Sequence, residues 1–436
     1  MNYQEALDWI HGIQRFGMNP GLERIQALLD ALGNPENKLK FLHIGGSNGK
    51  GSVAAFAARI LEAAGYRVGL YTSPYLVQFT NRMAINGADI SEERLVKMVE
   101  RVKPMAEQIA QNPDLGHPTE FEVVTAIALT YFAEETPDLV VLEVGLGGRL
   151  DATNVINPLA AVITTVSLEH TQVLGDTVEE VAREKAGIIK KSTDLITGTR
   201  GRALDVIREK TVEKEANLYR LGEDFKTETL SASLEGQVFH YHGLQRTCNH
   251  LRLTMLGDYQ PGNAALALAA LEILEQKGFT LTEDAIRSGL ENTRWPGRLE
   301  IMRRAPLVVL DGAHNLEAFQ GLRRSIQSTF SYRHLVLVLG ILDDKAIEEI
   351  LQEIVPLAGT VIVTTPNSPR AADPWLLQEK AAKLASGPVH VVEDIPGAVR
   401  LALSMVRAPD MVLIAGSLYL ISDARHLLTR GPAALL

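Results

Sequence analysis

The residues best suited to chemistry lie in a glycine-rich segment, residues 45–52, which reads Gly-Gly-Ser-Asn-Gly-Lys-Gly-Ser. An apolar run precedes it and a helical pattern follows from Ser52 to Ala64, which indicates a turn between a strand and a helix. Amide groups at the start of a helix are unpaired, and that end of the helix carries partial positive charge. Lys50 can bridge terminal phosphates, and the Ser52 hydroxyl can hold Mg²⁺. The segment therefore predicts a binding site for a nucleoside triphosphate.

The spacing within this loop departs from the usual Walker pattern. Gly51 separates Lys50 from Ser52, and only Ser-Asn stands between Gly46 and Gly49. Glycine-rich turns between a strand and a helix also occur for packing alone. The combination of glycine, lysine and serine at this place favours the phosphate-binding interpretation.

A second polar motif follows the apolar residues from position 140 and reads Glu-Val-Gly-Leu-Gly-Gly-Arg-Leu-Asp-Ala-Thr-Asn from Glu143 to Asn154. It places Glu143 near the carboxyl end of a strand, and its glycines then open a loop that contains Asp151. Ligands of open parallel sheets bind at this end of the strands, and Mg²⁺ prefers oxygen ligands. The motif indicates a metal-binding carboxylate near the phosphate loop; the alternative is a buried acid that caps its own loop.

A third group of polar side chains lies between residues 163 and 187. A strand ends just before His170, and Thr177 with Glu180 forms a capping box for the next helix. Lys185 is in the last turn of that helix, where the helix dipole favours a cation. Taken alone, His170 is typical of a structural histidine and Lys185 of an ordinary surface residue.

The elements that must position these residues alternate between helix and strand. Residues 1–36 look helical and end at a Gly-Asn-Pro stop. Strands are then predicted at 40–44, 67–72, 138–144, 160–166 and 194–197, and helices near 52–64, 91–111, 119–135 and 177–186. Buried strands separated by helices predict an α/β domain of P-loop ATPase type, with a mostly parallel sheet covered on both faces.

The pattern changes twice in the second half of the chain. Residues 217–256 alternate between polar and apolar and predict a small antiparallel insertion, after which helices follow at about 262–276 and 282–291. The breakers in 292–298 indicate a hinge, so we expect a first domain over 1–296 and a second over 297–436. Strands in the second domain are predicted at 307–310, 335–339, 360–363, 389–392 and 411–414. This smaller domain is expected to be Rossmann-like and doubly wound.

Composition excludes several classes of function. The 436 residues, 46% hydrophobic and 22% charged, are typical of a soluble globular protein with two or three domains. The net charge of −10 and the lack of a basic block argue against nucleic acid as a partner. Cys248 is the one cysteine, so no disulfide framework can form within the chain, and a structural thiol fits it better than a catalytic one. With neither a signal peptide nor a membrane-spanning apolar stretch, we expect a cytoplasmic protein with no membrane partner.

Seven motifs occur in order along nearly the whole chain. They are Gly-Ser-Asn-Gly-Lys-Gly-Ser at 46–52, Thr-Ser-Pro at 72–74, Leu-Glu-Val-Gly-Leu-Gly-Gly-Arg-Leu-Asp-Ala-Thr-Asn at 142–154, Glu-Lys-Ala-Gly-Ile at 184–188, Trp-Pro-Gly-Arg-Leu-Glu at 295–300, Asp-Gly-Ala-His-Asn at 311–315 and Ala-Gly-Ser-Leu-Tyr at 415–419. Each motif is moderately specific, and the combination is highly specific. Together they resemble the folylpolyglutamate synthase and dihydrofolate synthase family of the Mur-ligase superfamily, whose members are ATP-dependent amide-forming ligases.

The resemblance implies binding roles that the residues alone do not establish. The implied nucleotide contacts are Ser47, Asn48, Gly49, Lys50, Gly51, Ser52, Asn263, Arg298 and Asp311. The implied folate or pteroate contacts are Arg82, Thr119, Glu120, Phe121, Glu122, Leu150, Asp151 and Ala152. L-Glutamate, ATP and either dihydropteroate or a reduced folate are thus the expected small-molecule partners, and the family leans towards monomers.

The resemblance also implies a metal centre with two Mg²⁺ ions. Ser73 and Glu143 are implied ligands of one ion, to which the Ser52 hydroxyl can contribute, and His170 is an implied ligand of the second. The family carbamylates the lysine at the position of Lys185. A carbamate turns a cation into an oxygen donor, which a divalent metal ion requires.

Three departures from the family pattern stand out. The family usually has Thr at the position of Ser47, Asp-His where Glu169 and His170 stand, and Glu-Arg where Asn81 and Arg82 stand. The first two keep the chemistry. The third lies in the loop expected to cover the folate, so it bears on pterin selectivity.

The implied reaction is the addition of L-glutamate to a folate or to dihydropteroate. ATP would phosphorylate the carboxylate to an acyl phosphate, which the amine of glutamate then attacks. The expected catalytic residues are Lys50, Lys185 and His314. We expect catalysis to rest mainly on positioning of the substrates and on neutralisation of their charges. Closure of the second domain, which is expected to bind glutamate, would bring Arg298, Asp311 and His314 onto ATP.

Two other functions fit parts of the sequence. A cell-wall amino-acid ligase of the same superfamily usually begins with a uridine-binding domain, for which the residues before position 45 leave no room. A regulatory nucleotide switch would hydrolyse its nucleotide slowly, at a rate that does not depend on an amino acid. The polar motif at 311–315 in the second domain is better explained by a cosubstrate. Whether the enzyme adds the first glutamate, later ones or both is left open.

Overall fold

The structure, a computed structural model, describes residues 1–17 and 19–430. Position 18, within the segment expected to be helical, and residues 431–436, within the expected second domain, lie outside the described residues. The chain divides into two compact units. The first comprises residues 1–228, 240–251 and 262–293, and the second comprises 229–239, 252–261 and the chain from Arg294 onward.

The first unit contains an eight-stranded sheet. Its strands are β1 (Phe41–Gly45), β2 (Val68–Tyr71), β3 (Met83–Ile85), β4 (Ala88–Asp89), β5 (Leu139–Glu143), β6 (Ala160–Ile163), β7 (Asp194–Thr197) and β8 (Leu218–Arg220). The strand order is β4-β3-β2-β5-β1-β6-β7-β8. The pairs β2–β3 and β3–β4 are antiparallel, and the other neighbours pair in parallel. The central strands β1 and β5 are buried at every position, as expected for a parallel sheet covered on both faces.

Among the described residues before position 293, ten α-helices accompany this sheet. They are α1 (Tyr3–Gly12), α2 (Glu23–Ala31), α3 (Lys50–Ala63), α4 (Glu92–Ile109), α5 (Glu120–Glu135), α6 (Thr171–Leu174), α7 (Val178–Ala186), α8 (Gly201–Glu213), α9 (Gln260–Gln276) and α10 (Glu283–Asn292). In α4 the buried residues Leu95, Val99, Val102 and Ala106 recur at helical spacing, so one face enters the core. The helix α5 is apolar nearly all round and is buried accordingly.

A three-stranded sheet forms the insertion, with strands β9 (Lys226–Ser233), β10 (Gly236–His242) and β11 (Thr247–Leu253) in the order β11-β10-β9. Only two residues connect β9 to β10, so these neighbours form an antiparallel hairpin. The insertion was predicted to begin at residue 217, and this boundary is wrong. Leu218–Arg220 pairs in parallel with β7, so the large sheet continues through β8 before the insertion starts.

The second unit contains a six-stranded sheet. Its strands are β12 (Glu300–Arg304), β13 (Leu307–Asp311), β14 (Leu335–Leu339), β15 (Thr360–Val363), β16 (Val389–Val391) and β17 (Met411–Ala415), and its helices are α11 (Leu316–Thr329), α12 (Ile347–Ile354), α13 (Pro374–Ala382), α14 (Ile395–Ser404) and α15 (Leu418–Thr429). The order is β12-β13-β17-β14-β15-β16, with only β12 antiparallel to its neighbour among the described pairs. Leu337, Leu339, Val361 and Leu413 are among the fully buried side chains of its core.

The predicted fold class is confirmed: a mostly parallel sheet lies in the N-terminal part and a second α/β sheet in the C-terminal part. Two helices begin earlier than predicted, and one of them is α9, which starts at Gln260 rather than at about 262. The other is α3. Gly49 adopts a left-handed conformation that caps α3, so this helix starts at Lys50 rather than at Ser52. Within the described ranges, no helix combines the length and the apolar character needed to cross a bilayer.

Candidate active site

The phosphate loop, residues 45–52, connects β1 to α3, as the sequence predicts. Gly46 has φ of 132° and Gly49 has φ of 87°, a region that glycine tolerates best. A side chain at Gly46 would collide with the Thr164 hydroxyl, and a Cβ at Gly49 would lie 2.5 Å from Oδ1 of Asn263. Both glycines are therefore needed for close packing as well as for backbone conformation. Asn263, an implied nucleotide contact on α9, lies directly beside the loop.

Residues that follow β6 hold the phosphate loop in shape. The Ser47 amide donates to the Thr165 carbonyl at 2.8 Å, and the Thr164 hydroxyl donates to the Asn48 carbonyl at 2.6 Å. The Ser167 amide donates to the Ser47 hydroxyl at 3.0 Å. These bonds join the loop to the segment that follows β6 and so help to fix its conformation.

Lys50 is the first residue of α3, and its ammonium group lies against the loop. Its Nζ donates to the carbonyl oxygens of Gly46, at 2.9 Å, and Ser47, at 3.2 Å. Gly51 and Ser52 complete the first turn and are buried. The ammonium and the helix N-terminus together concentrate positive charge at the loop, which suits a polyphosphate.

Ser73 and Glu143, the implied ligands of one metal ion, lie close together. Glu143 is the last residue of β5, and its carboxylate accepts a hydrogen bond from the Ser73 amide at 3.2 Å. Ser73 follows β2, the parallel neighbour of β5. The parallel register brings both strand ends to one edge of the sheet.

Lys185 is buried, in contrast to the surface position that its sequence context alone suggests. Its Nζ lies 2.6 Å from Oε1 of Glu169, and the two side chains are 2% and 6% exposed. Burial lowers the pKa of Lys185, and the nearby Lys50 lowers it further. Burial alone would raise the pKa of Glu169, but the charges of Lys185 and Lys50 outweigh it and bring the pKa to about 2. His170 follows Glu169 directly, with φ of 47°, and precedes α6.

The implied folate positions on α5 have structural partners. Thr119 caps the helix and forms a capping box with Glu122, whose carboxylate accepts from the Thr119 amide at 2.7 Å. The same carboxylate pairs with the buried Arg24 at 3.0 Å. Phe121 packs against Gly145, where any side chain would collide with its ring. Glu122 therefore anchors α2 to the start of α5.

Glu120 and Arg82 belong to a polar and aromatic cluster beside α5. The Glu120 carboxylate lies 3.2 Å from Nδ1 of His11, and the Arg82 guanidinium lies over the rings of Tyr75 and Phe79 at 5.2 and 5.4 Å. Burial would raise the pKa of Glu120, but hydrogen bonds, with that of His11 the strongest, lower it overall. Planar rings and charges of both signs are suited to a flat heterocycle with polar edges.

The neighbouring residue Asn81, where the family pattern has Glu, is bound within its own loop. Its Oδ1 accepts from the Gln78 amide at 2.9 Å, and its Nδ2 donates to Asp89 at 2.6 Å. A glutamate at this position would face the carboxylate of Asp89. The asparagine thus removes a repulsion between like charges.

Leu150, Asp151 and Ala152 end the glycine loop that follows β5. The buried Asp151 carboxylate accepts from the Leu146 amide at 2.8 Å and from the Thr153 amide at 3.0 Å. Burial raises the pKa of Asp151, although these hydrogen bonds oppose the shift. Asp151 therefore joins the beginning of the loop to its end, and Ala152 is buried at the start of the following helical turn.

In the second unit, the implied nucleotide contacts form one cluster at the end of β13. The Asp311 carboxylate accepts from the Leu299 and Ala313 amides at 2.9 and 2.8 Å and from the Tyr259 hydroxyl at 3.4 Å. Burial raises the pKa of Asp311, and the nearby Arg298 partly opposes this. Nδ1 of His314 lies 2.8 Å from the carbonyl oxygen of Gly312.

Several residues that shape these sites are not among the candidates predicted from the sequence: Arg24, Thr153, Thr164, Thr165 and Tyr259. Thr164 and Thr165 directly follow the last residue of β6, so the rule that places ligands at the carboxyl ends of parallel strands could have identified them. No sequence motif marks Arg24 or Tyr259. Among the described residues, no group of three or more His, Cys, Asp or Glu side chains is arranged as a metal site.

Comparison with known proteins supports the assignment that these geometries suggest. The family model of the Mur ligase middle domain matches residues 44–271, and that of the Mur ligase glutamate ligase domain matches residues 297–418. The dihydrofolate synthase/folylpolyglutamate synthase of Bacillus subtilis (strain 168) is 39% identical over 97% of this chain and 98% of its own.

Solved structures agree in fold over nearly the whole length. The Mycobacterium tuberculosis folylpolyglutamate synthase complexed with ADP has a TM-score of 0.92 at 35% identity and covers 98% of this chain and 99% of its own. Escherichia coli FolC in complex with DHPP and ADP has a TM-score of 0.88 at 29% identity, with 98% of each chain covered. This chain therefore belongs to the Mur ligase family and, within it, to the ligases of the folylpolyglutamate synthase and dihydrofolate synthase type.

Proposed function

We propose that this protein forms an amide bond between L-glutamate and the carboxylate of a reduced folate or of dihydropteroate, at the expense of ATP. The observation that carries the proposal is the glycine-rich loop between β1 and α3, in which the Lys50 ammonium donates to two loop carbonyls at the start of the helix. The family membership supplies the reaction class, and the relatives named above were solved with ADP and, in one case, DHPP.

The proposed chemistry proceeds in two transfers. A carboxylate oxygen of the folate attacks the γ-phosphorus of ATP, and the bond between that phosphorus and ADP breaks. The amino group of glutamate then attacks the carbonyl carbon of the acyl phosphate, and the tetrahedral intermediate expels phosphate while the amine loses a proton. Lys50 neutralises the phosphates during the first transfer, and the loop amides orient them.

The residues present fit two Mg²⁺ ions of the kind that the family implies. Ser52, Ser73 and Glu143 would hold one through oxygen donors, and Ser73 and Glu143 are already neighbours. His170 and a carbamylated Lys185 would hold the second. Bound Mg²⁺ would supply positive charge for the phosphate oxygens.

Carbamylation of Lys185 would require its neutral amine, since only the free electron pair can attack CO₂. Burial and Lys50 favour that neutral form, whereas the pairing with Glu169 opposes it. Formation of the carbamate would therefore displace the Glu169 carboxylate from Lys185. The balance favours a carbamate when metal ions compensate the added negative charge.

We place the folate or pteroate against the start of α5, the Arg82 cluster and the glycine loop after β5. Charged side chains and rings meet there, and the loop follows directly on Glu143. We further propose that the enzyme acts as a monomer in the cytoplasm, where ATP and L-glutamate are both available.

The test is an assay of the purified protein with ATP, Mg²⁺ and L-glutamate, with either dihydropteroate or tetrahydrofolate added. We expect ADP release that requires both glutamate and one of the two pteridines, together with a product heavier by one glutamyl residue. ADP release at an unchanged rate without glutamate would overturn the proposal and favour a nucleotide switch. The two pteridine arms decide between addition of the first glutamate and chain extension.

A further inference from the structure

His43 is a buried polar residue in the middle of β1, and the proposed reaction assigns it no function. Its side chain is inaccessible to solvent, and β1 is otherwise apolar apart from the glycine that opens the phosphate loop. The neighbouring strands β5 and β6 pair with β1 at this position, opposite Leu142 and Ala161. Burying an imidazole here costs free energy unless its polar atoms are used.

A chain of hydrogen bonds leads from His43 to the glycine loop after β5. Its Nε2 lies 2.9 Å from the hydroxyl oxygen of Thr153, and that oxygen lies 2.5 Å from Oδ1 of Asp151. The other carboxylate oxygen of Asp151 accepts from the Leu146 amide at 2.8 Å. The chain thus runs from the central strand to both ends of the loop spanning residues 145–151.

The donors and acceptors in this chain determine its protonation pattern. An ionised Asp151 only accepts, so the single hydroxyl proton of Thr153 is directed to it. The Thr153 oxygen must then accept from His43, which requires a proton on Nε2. Nδ1 of His43 is buried and has no hydrogen-bond partner among the described residues, which agrees with a neutral ring that carries its proton on Nε2. Burial, aided by the charge of Lys190, lowers the pKa of His43 to about 3.

We propose that His43 is a positioning residue that acts through Thr153 on Asp151 and so sets the shape of the loop over residues 145–151. The effect on the folate rests on the proposed function, whereas the hydrogen-bond chain does not.

The phosphate loop provides an internal control for this role. Its own shape depends on contacts to Thr164, Thr165 and Ser167, none of which belongs to the His43 chain. Removing the Thr153 hydroxyl, which interrupts the series of hydrogen bonds from His43 to Asp151, should therefore weaken binding of the pteridine substrate and leave ATP binding unchanged.

The first test measures the ring directly by ¹⁵N NMR of the labelled full-length protein. We expect the signature of a neutral ring with its proton on Nε2 at pH 7 and still at pH 5. Thr153→Val should shift the Nε2 resonance, because the hydroxyl acceptor is lost. A proton on Nδ1, or an imidazolium ring at pH 6, would overturn the proposal whatever the enzyme catalyses.

The second test compares kinetic constants in four variants. Thr153→Val and His43→Leu remove the hydroxyl and the donor, and we expect the KM for the pteridine substrate to rise roughly tenfold, with the KM for ATP within about twofold. Thr153→Ser and His43→Gln keep a hydroxyl and a donor at the ε position and should restore values near those of the parent. Equal increases in both KM values, or no rescue by the conservative pair, would refute the positioning role.

The two tests also separate the inference from the proposed function. If the predicted tautomer is found and the protein shows no glutamate-dependent turnover with either pteridine, the proposed function fails and the hydrogen-bond chain stands. If Thr153→Val does not fold, the tautomer of the parent protein and the kinetics of Thr153→Ser still decide the question.

Discussion

The amine of Lys185 lies 2.6 Å from the carboxylate of Glu169, and both side chains are almost completely buried. Their positions differ by 16 residues, one just after β6 and the other in α7. Two buried charges of opposite sign compensate one another, and each is costly without its partner. Loss of either side chain should therefore affect the stability of the protein as well as its activity.

Lys185→Ala should lower the free energy of unfolding by roughly 3–5 kcal/mol, because it leaves Glu169 buried and unpaired. It should also abolish most glutamate-dependent turnover, and small carboxylates such as formate should restore part of it if a carbamate is the working group. Denaturant unfolding and ADP release are the measurements. In the parent protein incubated with bicarbonate and Mg²⁺, mass spectrometry should show an addition equal to one CO₂ on Lys185. An unchanged rate of ADP release in Lys185→Ala would refute a metal-ligand role.

Lys50→Ala should reduce glutamate-dependent ADP release roughly 100- to 1,000-fold, since it removes the ammonium held against the phosphate loop. Lys383, an exposed lysine that directly follows α13 and pairs only with Glu379 among the described ion pairs, supplies the control. Lys383→Ala should leave the rate unchanged. Turnover near the parent value in Lys50→Ala would remove this residue from the mechanism.

Gly49→Ala and Gly65→Ala form a matched pair for the phosphate loop. Their φ angles, 87° and 92°, impose similar strain on an alanine, about 1 kcal/mol. A Cβ at Gly65 meets nothing within 4 Å, whereas one at Gly49 lies 2.5 Å from Asn263. Calorimetric titration should show weakened ATP binding in Gly49→Ala alone. Equal ATP affinity in the two variants would contradict a role for the close contact with Asn263.

The buried pair of Arg24 and Glu122 should behave differently from an exposed one. Arg24→Met should cost roughly 3–5 kcal/mol of stability, because the Glu122 carboxylate loses its partner inside the protein. Arg287→Met, in the exposed pair with Glu283, should cost no more than about 1 kcal/mol. The comparison uses urea unfolding of both single variants and of the double variant Arg24→Met with Glu122→Gln. Equal losses of stability in the two single variants would contradict a special role of the buried pair.

His43 should make the protein sensitive to mild acid. Its pKa is about 3 in the folded state and near 6.5 when unfolded, so its stabilising effect is complete above pH 6.5 and is lost as the pH falls towards 3. Between pH 7.5 and pH 5 the free energy of unfolding should fall by about 2 kcal/mol, because the unfolded protein binds a proton at His43 and the folded protein does not. His43→Gln does not titrate and should lose correspondingly less over this range in urea unfolding; parallel losses would contradict a buried neutral ring.

Much of this protein can be predicted from the sequence because the determining interactions are local. Apolar runs between helical patterns predict most strands of the two large sheets, and the glycine-rich segment beside Lys50 predicts the turn that the structure has between β1 and α3. The short strands β3, β4, β8 and β12 were missed. They lie at or next to the edges of their sheets. The strands β4, β8 and β12 are not fully buried, and β3, although apolar, has only three residues, so none of the four has the long apolar run that marks a central strand.

Only the tertiary structure decides how distant residues meet. The sequence alone marks Lys185 as a surface cation, and packing of α7 buries it against Glu169. Asn263 reaches Gly49, and His43 reaches Thr153 across 110 positions, because parallel strands and their helices bring remote segments to one edge of the sheet. Periodicity and motifs record which residues lie on each element, whereas the neighbours of a buried side chain depend on how those elements pack.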